Sequence, residues 1–251
     1  MTERVTIFDS HFDALTCDQA ADAVFGLLAT GGGWLCTVNV STLMMMRTDL
    51  KLRSFVARAR LVVADGQPLV WCARLFGGRL PERVAGIELI EVLCARAANE
   101  QIAVYLLGAT PQLVQRAIVA LRGRHPDLRI AGSDGYFSAA QADAKADAVR
   151  ASQARLLLVG MGVPRQEAFI EAQWERLGVG VAIGVGGSFD VLGGARFRAP
   201  RWVRRAGLEW VIRLVQEPFR LLPRYAITNS LFCLLVARKA VSRLRGRPSA
   251  N

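Results

Sequence analysis

The residues best placed to do chemistry are one acid, a set of glycine turns and a set of arginines. Asp65 follows the apolar run Leu61, Val62 and Val63, and Gly66 and Pro68 follow it in turn. That order reads as a buried parallel strand, a turn, and a helix whose first turn tolerates the missing proline N–H. An acid there stands just past the carboxyl end of a strand, where open α/β sheets bind ligands. The same Asp-Gly pair reads equally well as a plain turn.

Glycine turns begin at Gly108, at Gly160 and at Gly184, and the latter two run on through Gly162 and through Gly186 and Gly187. Such turns let backbone N–H groups approach phosphate at a helix N-terminus, which suits a nucleotide-type ligand. The turn at 160–165 lacks the third glycine of a dinucleotide fingerprint, which disfavours NAD. No glycine turn is followed by Lys and then Ser or Thr, so a Walker loop is absent. No two aspartates stand one residue apart to clamp a metal-bound diphosphate, so the charge of a departing diphosphate would fall to arginines. Arg213, Arg220 and Arg224 share one helical face if Pro218 and Pro223 leave the helix unbroken. The competing reading is a solvated basic surface.

These groups need a scaffold, and strand and helix signals alternate along the chain to supply one. A small edge hairpin is expected over 5–12, and Thr16 with Gln19 forms a capping box for a helix reaching about residue 28. A strand over 34–38 precedes one helix over 41–59, on which Met44, Met45 and Met46 read as core filler. The helix after Asp65 should end on left-handed caps at Gly77 and Gly78. Beyond it come a helix over 87–98, a strand over 102–107, and a helix opened by Thr110 and Pro111. Further strands are expected over 128–131, 156–159 and 181–185, with a helix capped by Ser138 and Gln141 among them. The fold class is therefore α/β: a single Rossmann-like domain with a largely parallel sheet flanked by helices. After about residue 195, Arg and Trp replace the Gly and Val pattern, and Pro200, Pro218 and Pro223 punctuate what read as short helices. This divides the chain into a core over 1–195 and a basic helical C-terminal appendage over 196–251.

Bulk properties narrow the function classes. Lys and Arg number 32 against 21 Asp and Glu, a net charge of +11, and most of the excess lies in the appendage. There the arginines are interleaved with Trp202, Trp210, Phe219, Tyr225 and Phe232, which suits the face of an anionic membrane. No DNA- or RNA-binding motif accompanies the charge, so a nucleic-acid partner is not expected. The 5 cysteines are odd in number and scattered, as in a reducing cytosol, and the 2 histidines are too few for a metal cluster. No apolar run approaches the roughly 20 residues that span a bilayer, and no secretory signal is visible.

The strings VVADGQPLVWCARLFGGRLPERVAGIEL, YLLGATP, LLLVGMGVPRQEAFI, GVGGSFDVLGG and RAPRWVRRAGLEWVIRLVQEPFRLLPRY, in that order, resemble the WecG/TagA/CpsF glycosyltransferases. The resemblance implies an inverting, metal-independent enzyme without a cofactor. Such enzymes move a sugar from UDP to a polyprenyl-diphosphate-linked sugar at the inner face of the cytoplasmic membrane, in making surface polysaccharide or wall teichoic acid. By position it implies Asp65 as general base and Thr37 and Asn39 in the active-site pocket. Gln166 would line the donor site, with Asp190 and the glycines before it in the nucleotide cleft. Arg213, Arg220 and Arg224 would complete the site over the diphosphate. Relatives use N-acetylmannosamine, its uronic acid or glucose, and small differences in pocket shape choose among them. Self-association is also known among relatives. The segments 132–137 and 191–194 depart from the pattern, and Val38 stands where some relatives have proline, but no implied catalytic residue is lost. Two rivals are a non-catalytic basic adaptor, which would need only the appendage, and a different nucleotide enzyme such as a dehydrogenase.

Overall fold

A computed structural model describes residues 3–205 and 207–246, with only the backbone at Arg201, Arg205, Arg220 and Leu244. Its centre is a sheet of 6 parallel strands in the order β4-β3-β8-β7-β5-β6. These are β3 (Gly33–Val38), β4 (Leu61–Ala64), β5 (Val104–Gly108), β6 (Ile130–Ser133), β7 (Leu156–Gly160) and β8 (Val181–Gly184).

Both faces of the sheet are covered, and the strand sequences alternate accordingly. Val63, Leu106, Leu158 and Ile183 point into one core with the helices α1 (Cys17–Ala29), α5 (Gly86–Asn99), α6 (Pro111–Arg124) and α9 (Ser188–Leu192). Val62, Leu107, Leu157 and Ala182 point into the other. That face carries α2 (Val40–Met45), α3 (Leu50–Ala57), α4 (Gln67–Leu75), α7 (Ala142–Ala151) and α8 (Arg165–Leu177). A strand buried on both faces has no polar side, which is why these runs read as continuous Val, Leu and Ile. Met44 and Met46 are buried core residues, as their spacing suggested.

The capping box of Thr16 and Gln19 forms, and Thr110 caps α6 ahead of Pro111. The stretch expected as one helix over 41–59 is instead two, because the Asp49 side chain accepts a hydrogen bond from Leu52 N at 3.0 Å and starts α3 afresh. Of the two glycines after α4, only Gly77 is left-handed, at φ 81°; Gly78 is small because a Cβ there would meet Val5 Cγ1 at 2.4 Å.

The appendage also departs from expectation. After α10 (Arg201–Arg205) and α11 (Glu209–Gln216) comes α12 (Pro218–Leu244), one helix of 27 residues. Pro218 opens it where no N–H is needed, and Pro223 stands inside it without ending it. Arg213 therefore lies on a different helix from Arg220 and Arg224, and the condition for one face shared by all three is not met. Among the described residues no helix is long and apolar enough to cross a membrane.

The hairpin of β1 (Arg4–Ile7) and β2 (Ser10–Asp13) forms a sheet of its own beside the edge strand β4. Buried Asp13 links the two: its carboxylate accepts from Val62 N at 2.8 Å and from Arg4 Nε at 3.0 Å. An open edge N–H is thereby satisfied. Replacing Asp13 by alanine strands that N–H, and a loss of about 1–3 kcal/mol in urea unfolding is expected.

Candidate active site

All the parallel strands deliver their carboxyl ends to one side, and the loops that follow them enclose a cavity of about 730 Å³. Thr37, Asn39, Asp65, Gly162, Gln166, Gly186, Gly187 and Asp190 all line it. Its open side is covered by the appendage, which contributes Glu209, Arg213, Glu217 and Arg224. Tertiary folding brings Arg213 and Arg224 to one cavity from separate helices. The Arg220 side chain lies outside the described residues.

Asp65 sits at the start of the turn after β4, its backbone N–H held by the Val38 carbonyl at 2.8 Å. Burial pushes its carboxyl up to about 6, against the pull of Arg213 and Arg83 and with the help of Glu209 and Glu88. Arg83 Nη1 bonds Glu209 Oε2 at 2.5 Å, and Arg213 Nη2 bonds Glu209 Oε1 at 3.0 Å. Glu209 thus ties a core arginine to an appendage arginine beside the acid. Burial raises its own proton affinity, but Arg213 and Arg83 more than offset this and hold it low, so it stays ionised. A carboxylate poised near neutrality among guanidinium groups can take a proton while an anion is bound beside it.

The glycine loops work differently from the expectation. Gln166 is 2% exposed, and its Oε1 accepts from Gly162 N at 3.2 Å and from Gly186 N at 3.1 Å. Its Nε2 donates to Glu167 Oε1 at 2.8 Å. Two of the N–H groups in these turns are therefore committed to a side chain, and Gln166, itself in the cavity wall, braces the two loops. Glu167 fixes which way that amide points, and burial raises its proton affinity. Gly108 is a second correction: it is absent from the cavity wall, which its neighbour Ala109 lines. Its φ is 157° and a Cβ would lie 2.4 Å from the Gly160 carbonyl oxygen, so its role is close strand packing.

The remaining expected residues are in the wall with partners of their own. Thr37 Oγ1 donates to the Gly184 carbonyl at 2.8 Å, bridging β3 to β8. Asn39 Oδ1 accepts from Thr42 N at 3.0 Å, capping α2 and leaving the amide nitrogen to donate to a ligand. Asp190 pairs with Arg196 at 2.8 Å, and Arg196 pairs also with Glu217 at 2.8 Å. Arg224 Nε donates to Ser41 Oγ.

Arg83, Glu209, Arg196 and Glu167 were not singled out from the sequence. A signal for two of their pairings was present: Glu209 and Glu217 are rare acids in a basic segment, and each holds an arginine at the cavity.

Residues 5–246 match the model of the Glycosyl transferase WecG/TagA/CpsF family. The chain is 31% identical over 203 residues to the N-acetylglucosaminyldiphosphoundecaprenol N-acetyl-beta-D-mannosaminyltransferase of Bacillus subtilis (strain 168), with 78% of each chain covered.

The charge cluster yields opposite shifts for neighbouring substitutions. Arg83→Gln removes a positive neighbour and should raise the Asp65 titration midpoint above 6, whereas Glu209→Gln removes a negative one and should lower it. Carboxyl-carbon NMR titration of Asp65 reads both.

Proposed function

The chain belongs to the WecG/TagA/CpsF family of glycosyltransferases, and from that premise we propose that it moves a hexose-type sugar from a UDP-sugar to a polyprenyl-diphosphate-linked saccharide. N-acetylmannosamine, its uronic acid and glucose are the candidate sugars. Transfer proceeds with inversion and without a metal ion. The observation that carries this reading is the juxtaposition in one cavity of the Asp65 carboxyl, tuned to about 6, with Arg83, Arg213 and Arg224.

In the proposed step the acceptor hydroxyl oxygen attacks the anomeric carbon from the face opposite the leaving group. The bond from that carbon to the diphosphate oxygen breaks, and UDP departs with the electron pair. Asp65 takes the hydroxyl proton. The charge gathering on the diphosphate faces guanidinium groups, which bind phosphate oxygens in pairs in a partly water-excluded site. Asn39 supplies a neutral donor at the same wall, and Asp190 with Arg196 borders the nucleotide end.

The acceptor's lipid implies work at the inner membrane face, as a peripheral protein. The appendage supports that reading with large side chains in solvent, among them Trp202 at 70% exposure and Phe219 at 97%. Basic residues beside them add about 1 kcal/mol each on an anionic surface. In this reading residues 1–195 form the catalytic core and 196–251 the membrane-associating appendage.

The test is transfer from a panel of UDP-sugars to a short-chain polyprenyl-diphosphate sugar with EDTA present. Transfer is expected to survive EDTA and to fall by about 10²–10⁴ in Asp65→Asn. Because the base must be ionised, the wild-type kcat/KM, which reports the empty site, should level off about one pH unit above 6 and fall about tenfold per pH unit well below it. Loss of transfer in EDTA, or an active Asp65→Asn enzyme, would overturn the mechanism.

A further inference from the structure

The cavity changes character along its length. One face of α12 lines it from Leu221 to Val236, recurring at steps of one, three or four residues, a run of about 22 Å at 1.5 Å per residue. Across from it, α4 presents Pro68, Trp71, Cys72 and Leu75, again on a single face. The charged groups, Asp65, Arg83, Arg213 and Arg224, belong to the end nearest the strands. Beyond Asn229 the α12 lining turns apolar, with Phe232, Cys233 and Val236.

This apolar end is open. Trp71 is 48% exposed and Leu75 57% exposed, although both stand on a helix whose other face is fully packed. Phe232 on the α12 side is buried against Phe8, whereas Trp71 and Leu75 stand in solvent at the cavity wall, and large apolar side chains left exposed together mark a binding surface. The helices are held together past the groove by basic side chains: Arg243 donates to the Phe76 carbonyl at 2.9 Å, and Lys239 lies 5.0 Å from the centre of the Phe76 ring. The groove thus joins an arginine-lined pocket at one end to a basic rim at the other.

That arrangement complements an amphiphile with an anionic head and a long apolar tail. We propose that the groove between α4 and α12 seats the isoprenoid chain of the acceptor. Its diphosphate lies at the arginine end, and its chain runs over Trp71 and Leu75 towards Arg243 and Lys239. This assignment rests on the reading above that the acceptor is lipid-linked. It makes Trp71, Leu75 and Val236 determinants of acceptor chain length, with no part in donor binding.

Cys233 provides the probe. It is exposed in the groove wall, whereas Cys36, Cys72 and Cys94 are buried. The full-length protein is treated with N-ethylmaleimide, and modification of Cys233 is followed by peptide mass spectrometry. Farnesyl diphosphate at about ten times its Kd should slow the reaction roughly tenfold. Inorganic diphosphate and UDP at the same concentration should leave the rate unchanged. Leu75→Glu, at an exposed position, should abolish the protection and raise KM for the polyprenyl acceptor while leaving KM for the UDP-sugar unchanged.

Equal protection by inorganic diphosphate would mean that the head group alone shields Cys233, and would overturn the proposal. So would a slow unliganded rate that falls further with protein concentration, the sign of a second copy covering the groove. Sugar transfer without protection would reject the groove and keep the glycosyltransferase reading. Protection without any transfer would keep the groove and reject that reading.

Discussion

A half-buried carboxylate in a cavity wall needs neighbours that stabilise its charge, and much of this molecule follows from how Asp65 finds them. Arg83 comes from the segment between α4 and α5, Arg213 from α11, and Glu209 binds both. Two acids and two arginines give a cluster close to neutral, which suits a site of low dielectric where an unpaired charge would be costly. The same cluster docks the appendage. Glu88 at the start of α5 repeats the device, pairing with Arg198 at 3.0 Å and with Arg204. Active-site electrostatics and part of the tail's attachment therefore share contacts, while α12 is also held by Phe232 on Phe8 and by Arg243 on the Phe76 carbonyl.

This coupling bears on catalysis. An incoming diphosphate adds negative charge beside Asp65 and draws on the same arginines that hold its proton affinity down. Both effects make the carboxylate a stronger base once donor is bound. The site is therefore weakly basic when empty and more so when loaded.

A second constraint lies beneath the cavity floor. The loops after β7 and β8 carry glycines at left-handed φ, 81° at Gly162 and 55° at Gly186. One side chain oxygen of Gln166 receives an N–H from each, and the Glu167 carboxyl fixes the amide in that orientation. Rigid loops below and a helical cover above define a pocket whose shape is held by polar contacts rather than by apolar packing alone. The apolar packing begins further out, between α4 and α12, where the cavity meets its open groove.

The sequence by itself determined the parallel sheet, because strands buried on both faces must be continuously apolar, and it placed Asp65 at a strand mouth through the order of apolar run, acid, glycine and proline. Helix starts at Thr16 and Thr110 were legible because a cap is a contact between residues three apart. It also carried enough long matching strings to show the family. What it did not determine were contacts between distant segments. Spacing offered Arg213 and Arg224 one helical face on condition that the prolines left the helix unbroken; the helix breaks at Glu217, and the two reach one cavity only because α11 and α12 both fold over its mouth. The glycine turns advertised free N–H groups, yet Gln166, late in sequence relative to one loop and early relative to the other, occupies both. Arg83 and Glu209 stand 126 residues apart, a pairing that no local pattern encodes. Short-range geometry is written in neighbouring residues, whereas the partner of a buried charge is chosen by which surfaces the whole fold brings together.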